Sequence, residues 1–418
     1  MTEFPYAALI GIDWADDKHD VCVYDCATQT QEQSVIGARP EAIEAWVMQL
    51  RSRFNGQKLA ICLEQKRGPL IYALCKYEFL VLYPVNPQTV AKYRQAFTTS
   101  RAKDDPTDAE LQVELLNKHR DKLTVWQPTS PNLRKLQALV EWRRTLVEET
   151  GRVTNRLVDV LKGYFPQAID CFEHRDTEVF CDFLTQWASL DAVQQMSDEQ
   201  LHQFFCDHHS RYQACNARRI EILRNGIPLT EDSAIVESSQ LMVQALVSQL
   251  RSLITSVRQF ETEIGHLFAH MPDAKIFAAL PQAGTNLAPR LLLAFGEDRT
   301  RYQSAQDLLQ YAGIAPVTER SGKKCWVHWR WGAPKFLRQT FVEWANESRK
   351  ASVWAKAFYQ AQKQARKSHQ AAIRALAFKW IRILFRCWQD QVPYDEAKYL
   401  LALHQKGSPL AQQITLQP

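Results

Sequence analysis

The first 125 residues alternate between short apolar runs, which are typical of buried strands, and amphipathic stretches, which are typical of helices. Amphipathic helices follow Pro40 and Pro69, because proline suits the first position of a helix. The predicted strands are 7–12, 20–25, 34–37, 58–63 and 79–83. Three hairpin-like strands followed by alternating helices and strands predict a mixed α/β sheet.

From about Pro128 the apolar spacing becomes helical, and a long amphipathic helix is predicted over 131–165. Residues 167–235 indicate a helical insertion with many polar positions. Beyond it, apolar residues recur at alternating steps of three and four: Val243, Leu246, Leu250, Leu253, Val257, Phe260, Ile264 and Leu267. This heptad seam predicts a coiled coil. Its partner is either the 131–165 helix of the same chain or another copy, and the sequence leaves both open.

A chain of 418 residues is long enough for two or three domains. The patterns predict an α/β domain at 1–127, a helical and coiled-coil region at 128–270 that contains the insertion, and a mostly helical C-terminal domain at 271–418. The fold class is therefore α/β plus α.

Charge is unevenly distributed between these regions. Residues 271–418 hold 22 Lys and Arg against 10 Asp and Glu, a net of +12, whereas the whole chain carries only +5. A basic third on an otherwise acidic chain suggests a polyanionic partner, most simply nucleic acid. The alternative is a solvated basic face without a partner.

The ends and the cysteines bear on where the protein works. No basic n-region or signal peptide opens the chain, and no apolar run reaches the ~18 residues of a membrane helix. The ten cysteines form no CxxC pair, so reduced thiols and a cytoplasmic, nucleoid-associated location in a prokaryote are expected, without membrane contact. One cluster could hold zinc, although its spacing fits no familiar finger and helix core is the alternative: His202, Cys206, His208, His209 and Cys215.

Four acids are the strongest chemical signal. Asp13 and Glu64 each stand at the carboxyl end of an apolar strand, where open α/β sheets place their sites. Asp105 and Asp108 flank Pro106 on a predicted first helical turn and share one face. Each has an alternative role as a turn or cap residue. Together, on an RNase H-like core, they suit one or two Mg²⁺ ions that polarise a phosphodiester.

A second signal is Ser321, which precedes a glycine among Arg320, Lys323 and Lys324. Cations near a serine can stabilise its alkoxide and hold a phosphate, although Ser-Gly is also an ordinary hairpin turn. The nearby tryptophans could stack bases, but strand alternation would instead bury Trp329 and Trp331 in a core.

With these motifs, the chain resembles the DEDD-type insertion-sequence transposases, the IS110 family. The resemblance covers about residues 1–165 and 240–390. It rests on Asp13, Glu64 and these segments: 103–109, 280–284, 311–316, 321–322, 336–338 and 372–377. Two departures are visible: Gln282 replaces the first glycine of the family's Pro-Gly-x-Gly, and the middle insertion is long.

The resemblance implies a RuvC-like domain that holds Mg²⁺ on Asp13, Glu64, Asp105 and Asp108, and Ser321 as a nucleophile that forms a covalent phosphoserine link to DNA. It implies a structured non-coding bridge RNA that pairs with donor and target DNA. It also implies a dimer or tetramer, in which the acids of one protomer meet the serine of another. Basic residues in and around the motifs are expected to contact nucleic acid: Lys103, Arg320, Lys323, Lys324, Arg330, Lys335, Arg338 and Arg374.

The expected function is a Mg²⁺-dependent DNA transposase or recombinase of a mobile element. One alternative is a metal-only nuclease of the Holliday-junction type, in which Ser321 is structural. The other is a nucleic-acid-binding protein without catalysis, which the four acids disfavour.

Overall fold

The computed structural model describes residues 5–64, 68–97, 105–210 and 212–415. The chain forms two compact units, Met1–Thr129 and Ser130–Pro418. The boundary between them lies close to the predicted one at residue 127. A further division at residue 270 stays a prediction.

The first unit is built on one five-stranded sheet with the spatial order β3-β2-β1-β4-β5. Its strands are β1 (Ala8–Trp14), β2 (Lys18–Asp25), β3 (Thr30–Gly37), β4 (Leu59–Leu63) and β5 (Leu80–Pro84). Its helices are α1 (Pro40–Arg53), α2 (Pro69–Leu74), α3 (Pro87–Phe97) and α4 (Asp105–His119). The first three strands are antiparallel, whereas β1, β4 and β5 run parallel. The mixed α/β sheet predicted from the sequence is confirmed and fits an RNase H-like domain.

Side-chain alternation divides the core of this unit into two layers. One face of β1, with Ala8, Ile10 and Ile12, packs with α1 and α2. The other face, with Leu9, packs with α3 and α4. Burial on both faces explains why these strands read as nearly continuous apolar runs.

The second unit is helical apart from one hairpin. Its first part contains α5 (Pro131–Lys162), α6 (Pro166–Cys171), α7 (Glu178–Gln186), α8 (Leu190–Gln194), α9 (Asp198–Asp207), α10 (Gln213–Arg224) and α11 (Ser233–Ala269). Its second part contains α12 (Ala274–Ala278), α13 (Gly284–Phe295), α14 (Ala305–Tyr311), β6 (Val317–Ser321), β7 (Lys324–His328), α15 (Lys335–Ser348), α16 (Val353–Gln364), α17 (His369–Gln389), α18 (Glu396–Gln405) and α19 (Pro409–Thr415). Within the described ranges, none of the helices combines the length and apolar composition of a membrane span.

Helices α5 and α11 pack along each other. The ion pairs Arg143–Glu261 and Lys135–Glu263 join the start of α5 to the end of α11, so the two helices run antiparallel. The predicted seam contributes buried residues to this packing, including Leu246 and Leu250. The same chain thus supplies a partner for the seam. A coiled coil with another copy stays a prediction.

Two apolar cores lie at opposite ends of this helix pair. The start of α5 packs with the C-terminal helices, and its end packs with the insertion around Phe172 and Phe183. Val147 lies between the two cores and is 42% exposed. Helices α6 to α10 occupy most of the stretch predicted as a helical insertion, 167–235, and its aromatic residues share a core with α5 and α11. That this stretch is an insertion stays a prediction.

Candidate active site

The pairing of β1 with β4 brings two of the predicted acids to one edge of the sheet. The strands are parallel and in register, and their last pair is Ile12 with Leu63. Asp13 and Glu64 each come directly after that pair. Neighbouring strands lie about 4.8 Å apart, so the two acids are neighbours at the carboxyl ends of their strands.

Alternation also fixes the face on which these acids lie. Leu9 on β1 and Cys62 on β4 pack on the side of the sheet that α4 covers. Asp13 follows Leu9 by four residues, and Glu64 follows Cys62 by two, so alternation puts each acid on the same face as the earlier residue. Both acids therefore belong to the α4 side of the sheet.

Helix α4 is held against β1 by two close contacts. The amide of Ile12 donates a hydrogen bond of 2.8 Å to Oε1 of the buried Gln112. A Cβ on Gly11 would stand 1.9 Å from the carbonyl oxygen of Ala109, so only glycine permits this approach. Residue 108 is thereby fixed beside the end of β1.

The other two predicted acids lie at the start of α4. Asp108 is buried and accepts a hydrogen bond from Nη2 of Arg94 on α3, which also makes an ion pair with it. Asp105 is the first residue of α4, but its side chain lies outside the described part of the structure. Lys103 lies outside the described residues altogether.

A further acid, Asp20, was missed from the sequence. It stands opposite Asp13 in the antiparallel pairing of β1 with β2, and it is buried. Asp20 lies two residues before Cys22 on β2, so its side chain is on the same face as Cys22, which is the α4 side as well. The signal was present in the alternation of residues 20–25, which puts Asp20 and Cys22 on one face. Its neighbour His19 is also buried, and desolvation lowers the pKa of the imidazole.

The oxygen donors of this edge suit a hard divalent cation. Among the residues with described side chains, no group of three or more His, Cys, Asp or Glu is arranged to hold a metal ion. The side chain of Asp105 is outside the described residues, and Arg94 pairs with Oδ1 of Asp108. The ligand set of Asp13, Glu64, Asp105 and Asp108 therefore stays a prediction.

Ser321 ends β6 at the tip of the two-stranded hairpin and is exposed. It pairs with Lys324 across the turn, which Gly322 closes with a φ of 56° in the left-handed region. Arg320 and Lys323 flank it and are exposed too. The structure places Ser321 beside the glycine turn that the sequence indicated, and the roles of the serine and its neighbouring cations stay predictions.

One carboxylate joins the two strands of the hairpin. Glu319 accepts hydrogen bonds from Nε2 of His328 at 2.8 Å and from Nε1 of Trp326 at 2.9 Å. The hydrogen bond to Glu319 raises the pKa of His328 above its usual 6.5, and the bond from Nδ1 to the Trp329 carbonyl adds to this rise. The hydrogen bonds from His328 and Trp326 lower the pKa of Glu319.

The residues after the hairpin connect it to α15 and α17. Two guanidiniums cover the indole of Trp329. The Cζ atom of Arg374 lies 3.9 Å from the ring centroid, and the Cζ atom of Arg338 lies 4.9 Å from it. Desolvation lowers the pKa of Arg374, and the charge of Arg338 lowers it further. Arg330 is half-buried, whereas Lys335 is exposed.

The expectation that strand alternation buries both Trp329 and Trp331 in a core is corrected in part. Trp331 is 78% exposed, so it does not share a core with Trp329. The reason is that β7 ends at His328, and strand alternation no longer applies beyond it. Trp329 is half-buried by the arginines that cover it rather than by an apolar core.

At two motif positions upstream of the hairpin, the backbone has a positive φ. Gln282 has a φ of 56°, a conformation that favours glycine, so this glutamine occupies a strained position. Gly313 has a φ of 68°, and a Cβ there would stand 2.4 Å from the Cβ of Ala333.

The His and Cys cluster of the insertion forms no metal group among the described residues. His208 instead contacts Asp182 through Nε2 at 2.9 Å and the Phe204 carbonyl through Nδ1 at 2.8 Å. His202 and Cys206 contact each other at 3.5 Å. The helix-core alternative accounts for these contacts.

Comparison with known proteins identifies two regions of the chain. Residues 10–166 match a family model of the DEDD type of IS110, described as a transposase. Residues 274–360 match a second one, described as the transposase of the IS116/IS110/IS902 family. The two matches together cover more than half of the chain.

Individual relatives are similar over long stretches. The protein named as the mini-circle putative transposase for IS117 in Streptomyces coelicolor is 26% identical over 98% of this chain and 100% of its own length. An uncharacterized 43.6 kDa protein of insertion element IS110, from the same organism, is 24% identical over 70% of this chain and 72% of its own. With both family models matched in order, the chain belongs to the IS116/IS110/IS902 family of transposases.

Proposed function

We propose that the chain is a DNA recombinase that inserts and excises its own mobile element through a covalent phosphoserine intermediate. The observation that carries the proposal is the pair of acids at adjacent parallel strand ends, Asp13 and Glu64, on the side where α4 places Asp108. A cluster of oxygen donors at that edge serves phosphodiester chemistry in a way that a purely structural sheet does not need.

Asp13, Glu64, Asp105 and Asp108 would hold Mg²⁺. When bound, Mg²⁺ would act as a Lewis acid toward the phosphodiester and stabilise charge on its oxygens. Arg94 pairs with Oδ1 of Asp108, so Asp108 would serve as a ligand through Oδ2 or after the guanidinium has moved away. Until then, Arg94 offsets the charge of a buried acid that would otherwise be costly.

Ser321 is the proposed nucleophile. Its Oγ forms a bond to phosphorus, the bond from phosphorus to the departing deoxyribose oxygen breaks, and that oxygen leaves as a hydroxyl with the proton that serine gives up. In the second step a hydroxyl of another DNA end attacks the phosphoserine and returns the proton to Oγ. One phosphodiester replaces another, so no external energy source is required.

The surroundings of Ser321 support this role. Lys324 stands opposite it, and Arg320 and Lys323 are its neighbours in the chain. Positive charge favours the alkoxide of serine over the neutral hydroxyl and attracts the phosphate that it would attack. The exposed turn leaves the hydroxyl accessible to a large substrate.

The guide and the assembly are part of the same proposal. A structured bridge RNA would pair with donor and target DNA, and a homodimer or homotetramer would bring the acids of one protomer to the serine of another. The net charge of +12 on residues 271–418 supports polyanionic partners. Sequence choice would then reside in base pairing, while the protein contacts backbones.

The deciding experiment is the trapping of a protein–DNA adduct under denaturing conditions, using the full chain, labelled target DNA and RNA that co-purifies with the protein. A covalent adduct that requires Ser321 supports the proposal. Cleavage without an adduct would instead favour a metal-only nuclease.

A further inference from the structure

A groove of about 1270 Å³ runs along α17 in the second unit. Helix α17 forms its floor, and residues 327–329, at the end of β7 and just beyond it, form part of its wall. The groove is therefore continuous with the base of the hairpin that carries Ser321.

The lining of this groove carries charge of one sign. None of the described residues that line it is Asp or Glu. Its basic residues are Lys367, Arg374, Lys379, Arg382, Arg386 and Lys406. Nearby, Asp390 pairs with Arg386 at 2.6 Å. Asp390 offsets the charge of Arg386, and the other five cations repel one another, so a bound polyanion would relieve that repulsion.

Two of the six cations, Arg374 and Lys379, are partly desolvated, whereas the other four are exposed. Lys379 lies over the rings of Trp354 and Phe358, at 5.4 and 5.0 Å from their centroids. Desolvation and the charge of Arg382 both lower its pKa. Partly buried charges gain more from an anionic ligand than fully solvated charges do, because water screens them less.

The cations are spread along the length of α17, as the binding of an extended ligand requires. Arg374, Arg382 and Arg386 stand eight and four residues apart, which places them on one stripe of α17. The stripe is about 18 Å long, at ~1.5 Å per residue. The opposite side of α17 is buried in the core with Trp380 and Trp388, so the basic stripe is the side that remains for a ligand.

Aromatic side chains lie among these charges. Phe358, Phe378 and Tyr399 line the groove, and each is half-buried. Rows of cations with interleaved rings are how proteins hold single nucleic-acid strands, with phosphates on the cations and bases on the rings. A duplex offers its phosphates but keeps its bases stacked inside.

We propose that the α17 groove binds one single strand of nucleic acid and leads it toward the hairpin of Ser321. Trp329 joins the two parts, because its ring is covered by Arg374 of the groove and by Arg338 of α15. The role of the groove in recombination rests on the proposed function, whereas strand binding itself does not.

The test is fluorescence anisotropy with the full chain and fluorescein-labelled oligo-deoxythymidine of about 20 nucleotides, longer than the ~4–16 nucleotides of typical sites. Oligo-uridine and a duplex of equal length are the other two probes. The groove variant is Arg382→Ala with Arg386→Ala. The matched control is Arg152→Ala with Arg156→Ala, because that pair is also exposed and also four residues apart on a helix, α5.

The groove variant should bind single strands at least about tenfold more weakly at fixed salt. The slope of log affinity against log salt should fall by about 1.4, because each phosphate that the protein no longer neutralises lowers it by ~0.7. The control should stay within about twofold of wild type, and thermal unfolding should show that both variants fold. Binding of either oligo-deoxythymidine or oligo-uridine supports the proposal and shows which strand the groove accepts.

Two results would overturn the proposal. One is a groove variant with the affinity and salt slope of the control. The other is duplex binding that is as tight as single-strand binding and equally weakened by the groove substitutions. Ser321→Ala separates the two proposals. Cleavage and rejoining that persist in this variant would remove the serine mechanism, while intact single-strand binding in the same variant would leave the groove standing.

Discussion

Asp13 and Glu64 continue the register of two adjacent parallel strands by one step beyond the last paired residues, Ile12 and Leu63. The sheet itself therefore brings together two acids that are 51 residues apart in the chain. Asp20, opposite Asp13 on β2, adds a third carboxylate to the same side. Like charges on neighbouring strands repel each other, so a cation bound at this edge, as in the proposed function, would lower that repulsion.

The first prediction concerns this pair of acids. Asp13→Asn and Glu64→Gln should each lower strand exchange by at least ~100-fold, because metal assistance contributes several kcal/mol and about 1.36 kcal/mol corresponds to a factor of ten. Without Mg²⁺, thermal unfolding should show equal or higher stability, since each substitution removes a like charge. Asp17→Asn, an exposed acid in the turn after β1, is the control. Full activity in both site variants would refute the assignment.

The second prediction concerns the contact between β1 and α4. Gly11→Ala should lower the free energy of unfolding by about 1–3 kcal/mol, because the new methyl group meets the Ala109 carbonyl and forces α4 outward. Strand exchange should fall with it, because Asp108 moves with α4. Urea unfolding followed by tryptophan fluorescence measures the first effect.

The control for that substitution is Gly151→Ala on α5. Nothing lies within 4 Å of a Cβ at this position, so alanine should stabilise the helix by about 0.5–1 kcal/mol. Equal effects of the two substitutions would show that Gly11 does not position α4.

The sequence predicted the sheet and the hairpin well because both depend on local signals. Apolar runs that end in Asp13 and Glu64 marked the strand ends, and Ser321-Gly322 marked the turn. The pairing of Arg94 with Asp108 was not predictable, because it depends on how α3 and α4 pack on the sheet. Asp20 was missed because only strand pairing shows that it stands opposite Asp13.

The α17 groove was beyond sequence reasoning for a similar reason. The basic excess of residues 271–418 was visible, and Arg374 was selected from its motif. That Lys367 and Lys406 line the same groove depends on how the C-terminal helices fold together. Net charge can be counted from the sequence, but which basic side chains line the same groove depends on the tertiary structure.

The third prediction is a pH dependence of the hairpin. The pKa of His328 lies above 6.5, so its bond to Glu319 should stabilise the hairpin fully below pH 6.5 and less as pH rises through the raised value. The pKa of Glu319 is lowered, so its contribution should be lost only as pH falls through that lowered value. Titration of His328 by NMR should give a pKa above 6.5, and Glu319→Gln should lower it. A wild-type value at or below 6.5 would contradict the structure.

The fourth prediction concerns the seam on α11. Leu250 is fully buried, so Leu250→Ala should cost about 2–5 kcal/mol of stability. Leu241→Ala, on the same helix but 71% exposed, should change stability by less than about 0.5 kcal/mol. Analytical ultracentrifugation should give the same species for both variants, because α5 of the same chain already packs along α11. A smaller species for Leu250→Ala would show that the seam also joins copies.

The fifth prediction is that Ser321 forms the covalent link to DNA. Ser321→Ala removes one exposed hydroxyl and little volume, so folding and nucleic-acid binding should survive while the adduct and recombination disappear. Ser321→Cys keeps a nucleophile, with a thiol pKa of about 8.5, but its larger and softer sulfur suits phosphorus and Mg²⁺ poorly, so weak or no activity is expected. Thr318→Ala is the matched control, since Thr318 is exposed on the same strand but on its opposite face. Denaturing electrophoresis with labelled target DNA and co-purified RNA should show a protease-sensitive shifted band for wild type and Thr318→Ala. If Ser321→Ala still cleaves and rejoins DNA, water activated at the acids must be the nucleophile, and the metal-only mechanism replaces the serine mechanism.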